Sequence, residues 1–271
     1  MNRPFLIRLV SGKISRNDHK ISLKYTHFFI LLLQTLKKTI SKKMKRIFAS
    51  LPLLLLFAIL TYTACESGGN KAEAEFTSLF NGENLDGWVG NTQSYQAQDG
   101  MIVVNPDVEG AEGSGGNLYT EKEYSDFVFR FEFQLPPGGN NGLGIHAPLE
   151  GDAAYVGKEI QILDNTAEIY ADLQPYQYHG SVYGIIPAKR GYLKPVGEWN
   201  EEEVIVQGSK IKVILNGTTI LDGDFLEASK NGTMDGKDHP GLERTKGHIG
   251  FLGHGYVVKF RNIRIKDLSE G

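Results

Sequence analysis

The sequence predicts an all-β fold arranged as a sandwich of two antiparallel sheets. Three observations carry that prediction. From Phe127 to Leu135, apolar Phe127, Phe129, Phe131, Phe133 and Leu135 alternate with Val128, Arg130, Glu132 and Gln134, the two-residue period of a core strand. Turn dipeptides such as Asn81-Gly82, Asp99-Gly100 and Asn216-Gly217 recur between short apolar runs, at intervals of about ten residues. Almost no stretch repeats its apolar residues at the helical period. Polar residues stand opposite apolar ones along most strands, so two stacked sheets with one solvated, concave face are the expected architecture.

The chain has 271 residues, and its N-terminal part is set aside from the fold. Residues 1–43 are basic and precede Met44; they read as a start assigned too early or as an extended leader. Residues 44–65 have the form of an export signal: Lys45 and Arg46, an apolar run from Ile47 to Leu60, then Thr63-Ala64-Cys65. The run is too short to span a bilayer and contains Pro52. Cys65 is the single cysteine, so no disulfide partner exists, and its position after a signal resembles a bacterial lipidation site. Acyl chains there would tie the domain to a membrane without a spanning helix. Residues 66–75 read as a flexible tether, and 76–268 as one β-sandwich domain. The expected location is the periplasm or the cell surface. Net charge is −3 and no basic stripe is interleaved with aromatics, which argues against a nucleic-acid partner.

Within the domain, Phe76 to Phe80 reads as a first short strand, and Tyr95 to Val104 as a hairpin turning at Asp99-Gly100. Gly110 to Gly116 lacks the Lys-Ser/Thr ending of a phosphate loop and is read as plain loop. After the phenylalanine strand, Leu143 and Ile145 point inward, with Gly144 and His146 on the opposite face. Lys158 to Asp164 is the next strand, placing Ile160 and Ile162 on the core face and Glu159 and Gln161 on the other. Asn165 to Tyr178 has room for one helical turn. Ser181 to Ile186 is strand-like. Val204 and Val206, then Ile211, Val213 and Leu215, make two strands, and Thr218 to Leu221 a third. Leu226 to Lys246 is a long loop, a frequent seat of function. His248 to Leu252 and Val257 to Ile265 close the domain.

Three polar clusters carry the chemistry: Asn140, Asn141 and His146; Glu159, Gln161 and Asp164; and the late histidines His239 and His254. Pairing of consecutive strands places His146 beside Glu159 or Gln161, a carboxylate and an imidazole suited to acid–base work near neutral pH. The opposed pair of acids used by ordinary glycosidases is not evident, since the best same-face partner for Glu159 is Glu132. No zinc-ligand spacing and no nucleophile elbow occur. No cofactor is expected. A structural calcium ion stays open, because the Asp235–Asp238 loop is acidic although it lacks the twelve-residue ligand pattern.

Several motifs then occur in order: Leu79-Phe80-Asn81-Gly82 with Leu85-Asp86-Gly87-Trp88, Asn140-x-Gly142, Glu159-Ile160-Gln161-Ile162-Leu163-Asp164, Gly180-Ser181-Val182-Tyr183-Gly184, Gly197-Glu198-Trp199-Asn200, Leu215-Asn216-Gly217, Gly247 to Leu252 with His254-Gly255, and Phe260 to Ile265. Together they resemble the 3-keto-disaccharide hydrolase family. The resemblance implies a concanavalin A-like jelly-roll sandwich, export with frequent lipid anchoring in Bacteroidetes-like bacteria, and action on glycosides oxidised at carbon 3. It departs from the family where Asn141 and His146 stand in place of the usual Ser and Arg, and where Leu252-Gly253-His254-Gly255 is one residue short and lacks a Gln.

A ketone at carbon 3 acidifies the proton on carbon 2, so one base starts elimination of the group on carbon 1, and water then adds back. The scheme needs a base, an acid for the leaving oxygen and hydrogen bonds to the enolate. Glu159 or His146 is the expected base and His254 or Tyr183 the expected acid. Gln161, Asn140 and Lys194 hold hydroxyls or the enolate, with Asp164 and Trp199 also on the substrate-binding face. The alternative is a non-catalytic carbohydrate-binding module in which Trp88, Tyr95, Tyr183 and Trp199 stack on sugar rings. A third reading, a structural surface domain, predicts no hollow around Glu159.

Overall fold

The phenylalanine strand sits at the centre of the larger of two antiparallel sheets. The computed structural model describes residues 75–107 and 116–269. The leader, the signal with Cys65, the tether up to residue 74 and the Gly-rich loop up to residue 115 lie outside the described residues. The strands in chain order are β1 (Thr77–Ser78), β2 (Trp88–Gly90), β3 (Tyr95–Gln98), β4 (Met101–Val104), β5 (Asn117–Thr120), β6 (Phe127–Gln134), β7 (Asn140–Ala147), β8 (Lys158–Leu163), β9 (Trp199–Gln207), β10 (Lys210–Leu215), β11 (Thr218–Asp224), β12 (His248–Gly253) and β13 (Lys259–Asp267). Two short helices, α1 (Ala153–Val156) and α2 (Phe225–Ser229), interrupt them.

The large sheet has the order β11-β10-β9-β6-β13-β4-β3, with β1 also paired to β13; the small sheet is β2-β5-β12-β7-β8. This is the expected two-sheet sandwich. Phe127, Phe129, Phe131 and Phe133 are fully buried while the residues between them are half-buried. Phe251 of β12 stacks on Phe260 of β13 with centroids 3.7 Å apart, joining the two sheets. Burying each such ring contributes about 1.5–3 kcal/mol. The turns form where expected: Asp99 and Asn216 adopt φ near 50°, each followed by a glycine at positive φ.

Some local features differ from the sequence reading. Asn117–Thr120 is a strand, α1 forms in a segment assigned no element from the sequence, and α2 overlaps the start of the long loop read from Leu226. Asn165 to Tyr178 carries two 3-10 turns, Glu168–Tyr170 and Pro175–Gln177. Ser181 to Ile186 is not a full strand. It makes only isolated bridges through Val182, yet its backbone runs along the outer edge of β8, where Gln161 N–H donates to Ser181 O at 3.0 Å and Tyr183 N–H donates to Glu159 O at 2.9 Å.

Candidate active site

The β8 pleat places Ile160 and Ile162 in the core and turns Glu159 and Gln161 to the outer face of the small sheet. There they form the floor of a hollow of about 220 Å³. Asn140 of β7, His254 after β12, Tyr183 along the β8 edge, and Asp152 and Tyr155 at α1 complete the walls, with Tyr170, Leu173 and Gln177 from the 3-10 segment. Of the sequence-predicted residues, five meet here: Glu159, Gln161, Asn140, Tyr183 and His254.

Glu159 is only 4% exposed. His254 Nε2 lies 3.4 Å from Glu159 Oε1, and the imidazole is exposed on its other side. Loss of hydration pushes His254 down, but the hydrogen bond and charge of Glu159, with Asp152 adding, outweigh this and hold it above the ordinary histidine value. Gln161 Nε2 donates to Asn140 Oδ1 at 2.7 Å, fixing two amides side by side. Burial raises the Tyr183 phenol above its ordinary value. Tyr155 and Glu159 add to the rise, while Gln177 and Lys237 oppose it.

A glycine makes room for the carboxylate. Gly142 of β7 pairs with Gln161 across the strands. A Cβ at Gly142 would overlap Glu159 Oε1 and lie 2.8 Å from Cδ and 2.9 Å from Cγ. The Asn-x-Gly motif therefore has a steric reason that its sequence did not reveal.

His146 is not beside Glu159. Its backbone takes φ 48°, and the β12–β7 ladder shifts register between His248 and Gly250. This breaks the two-residue alternation and turns the ring inward. There Nδ1 lies 3.0 Å from Arg244 O and Nε2 lies 2.8 Å from Ser125 O, with the ring edge-on to Phe127. Burial and the neighbouring Lys158 ammonium lower its pKa. Lys158 is itself buried and brought down to about 8, chiefly by burial and then by the charge of Arg244.

Asp164 and Lys194 also lie outside the hollow. Asp164 closes a turn, accepting from the backbone N–H of Gly138 at 2.9 Å and of Thr166 at 3.0 Å and from the Thr166 hydroxyl at 2.6 Å. Burial pushes its carboxyl up, but those donors more than offset this and leave it below the usual range. Lys194 donates to Trp199 O at 2.8 Å. Trp199 belongs to β9 of the other sheet, and the Arg261 guanidinium covers its ring at 4.0 Å. Trp88 and Tyr95 are buried core residues, Trp88 stacked on Phe251. Of the four aromatics expected to serve as platforms in a binding module, Tyr183 lines the hollow and Trp88, Tyr95 and Trp199 do not; Tyr155 and Tyr170 line it as well. Glu132, on the large sheet, pairs with Arg261 at 2.7 Å and also binds Asn262, so it is not an opposed acid for Glu159.

The sequence reading missed Asp152 and Tyr155. Asp152 caps α1, accepting from Ala154 N–H at 3.1 Å; an Asp placed just before Ala-Ala was the available signal. His239, singled out with His254, is instead buried, with Nε2 3.1 Å from both oxygens of Asp235 and Nδ1 3.2 Å from Ala154 O. Asp235 is thus turned onto a histidine. Among the described residues no group of three His, Cys, Asp or Glu is arranged to hold a metal ion. A second Glu–His pair, Glu202 with His179 at 3.0 Å, is sealed inside the sandwich, where no substrate reaches it.

Comparison with known proteins places the chain in a family. Residues 75–266 match the family model of the 3-keto-alpha-glucoside-1,2-lyase-like domain. A Bacteroides thetaiotaomicron protein named 3-keto-disaccharide hydrolase is 28% identical over 228 residues, covering 72% of this chain and 79% of that protein. Two crystal structures of candidate glycosyl hydrolases from Parabacteroides distasonis superpose on the fold. One has a TM-score of 0.62 at 30% identity, covering 71% of this chain and 99% of that one. The other has a TM-score of 0.61 at 26% identity, covering 73% of this chain and 97% of that one. With its sandwich and the ordered run of motifs from Leu79 to Ile265 both accounted for, this chain is a member of the 3-keto-alpha-glucoside-1,2-lyase-like family.

Proposed function

We propose that the protein cleaves glycosides carrying a ketone at carbon 3, by elimination of the carbon 1 substituent followed by addition of water. The observation that carries this reading is the buried Glu159 carboxylate opening into a hollow with His254 3.4 Å away. One carboxylate with one imidazole beside it suits removal of an acidified carbon 2 proton.

Glu159 takes that proton, and the C–H electron pair becomes a double bond toward carbon 3 while charge gathers on the ketone oxygen. The enolate then re-forms the ketone, a double bond forms between carbons 1 and 2, and the carbon 1–oxygen bond breaks. His254 gives its proton to the departing oxygen. Water then adds: its hydroxyl goes to carbon 1, its proton returns to His254, and Glu159, whose proton has exchanged with solvent, protonates carbon 2. The paired amides of Asn140 and Gln161, with Tyr183, hold the sugar hydroxyls.

The test is incubation of the purified domain with 3-keto-glucosides beside their unoxidised parents, following aglycone release. Release from the ketones alone is expected, because without the ketone the carbon 2 proton is not acidic. Turnover needs no cofactor, so EDTA leaves it unchanged. The N-terminal segment suggests export with lipid on Cys65, which labelled-palmitate incorporation, lost in Cys65→Ser, would check.

A further inference from the structure

The hollow has a second polar wall that the scheme above does not use. Lys237 Nζ donates to Tyr155 Oη at 2.7 Å, and Tyr155 lines the same hollow as Glu159 and Tyr183. Lys237 comes from the long loop after α2, and that loop is fastened at several points. Met234 N–H donates to Gly184 O at 2.7 Å, the Thr233 hydroxyl donates to Lys237 O at 2.7 Å, and Lys237 N–H donates to Asp235 Oδ1 at 3.1 Å. Asp235 and His239, 4% and 1% exposed at their side chains, pair at 3.1 Å. The His239 ring packs on the Tyr155 ring with centroids 4.7 Å apart. Gly184, at φ 73°, lets the loop approach, since a Cβ there would lie 2.8 Å from both Asp235 Oδ2 and His239 Nε2.

We propose that Tyr155 is a catalytic residue, the hydrogen-bond donor to the carbon 3 oxygen as negative charge gathers there, and that Lys237 is its positioning residue. The inference rests on the elimination reading above and deepens it. A phenol oxygen that accepts from an ammonium keeps its own hydrogen to donate. The positive charge behind it strengthens that donation toward a developing oxyanion. The Lys237 ammonium is held above its ordinary value first by its hydrogen bond to Tyr155, so it stays charged throughout the neutral range. Base and oxyanion donor then occupy the floor and one wall of the same hollow. The enolate needs this arrangement, since its proton leaves from carbon 2 while its charge collects on the oxygen of carbon 3. No proton moves from Tyr155 in this step; it only donates a hydrogen bond.

The experiment measures two rates on a 3-keto-glucoside in deuterium oxide by NMR: exchange of the carbon 2 proton, and release of the aglycone. Wild type, Tyr155→Phe, Lys237→Met and Lys237→Arg are compared, each with its thermal midpoint. Tyr155→Phe is expected to slow exchange and release together, by about 10²–10³-fold. Lys237→Met slows both by about tenfold, and Lys237→Arg restores most of the loss. Release lost with exchange intact would make Tyr155 an acid for the leaving group and overturn the proposal. Unchanged rates in both Tyr155→Phe and Lys237→Met would overturn it as well. Absence of both exchange and release in wild type would instead overturn the elimination reading beneath it. Lys237 is exposed, so its variants report even if Tyr155→Phe folds poorly.

Discussion

Gly142→Ala isolates the position of one carboxylate from the stability of the fold. The added Cβ would sit 2.8 Å from Cδ and 2.9 Å from Cγ of Glu159, whereas relaxed carbon–carbon contacts lie at about 3.5–4.0 Å. The carboxylate must therefore shift by about 1 Å. Two stability effects oppose each other. Alanine in a strand interior gains about 0.5–1 kcal/mol over glycine, and forcing the Glu159 side chain off its rotamer costs about 0.5–1.5 kcal/mol. The folded state is expected to stay within about 1 kcal/mol of wild type by denaturant titration. A misplacement of about 1 Å in a catalytic group costs about 10²-fold in rate, or about 2.7 kcal/mol of transition-state stabilisation. The assay is kcat for aglycone release from a 3-keto-glucoside, with a crystal structure of the variant. A shifted carboxylate with undiminished kcat would refute the reasoning, because the rate would then not depend on where Glu159 stands.

Two further outcomes are expected. Because Glu159 and Asp152 hold His254 above the ordinary histidine value, the protonated acid persists past about pH 6.5, and the rate falls only as pH rises through that raised value. His254→Gln should remove this limb of the pH–rate profile. Linkage has the same sign: His254 contributes stability that is fully present below the unfolded pKa and is lost as pH rises through the folded one. His146→Ala removes a buried ring from Arg244 O and Ser125 O and should cost about 2–3 kcal/mol of stability. Its kcat should stay within a few-fold of wild type; loss of activity at full stability would return His146 to the site.

Much of the fold was legible because side-chain parity in regular strands is strict. The phenylalanines of β6 and the split of Ile160 and Ile162 from Glu159 and Gln161 follow from a two-residue period. His146 was misread because one residue at positive φ and one register shift reverse that period, and neither leaves a mark in residue type. Lys194 and Trp199 were misplaced because the chain crosses from the small sheet to the large one between β8 and β9, and sequence order does not show which layer receives it. Tyr155 and Lys237 lie 82 residues apart; only the folded loop brings them together. His254 and Glu159 were both named from the sequence as acid and base, but their direct contact was not, since Glu159 meets His254 across β7.

The most direct measurement is the turnover of a 3-keto-glucoside by Glu159→Gln beside wild type. The amide keeps the shape of the side chain but cannot take a proton, and the rate is expected to fall by about 10²–10⁴-fold while the thermal midpoint holds. A variant that releases aglycone as fast as wild type would contradict the assignment of Glu159 as the base.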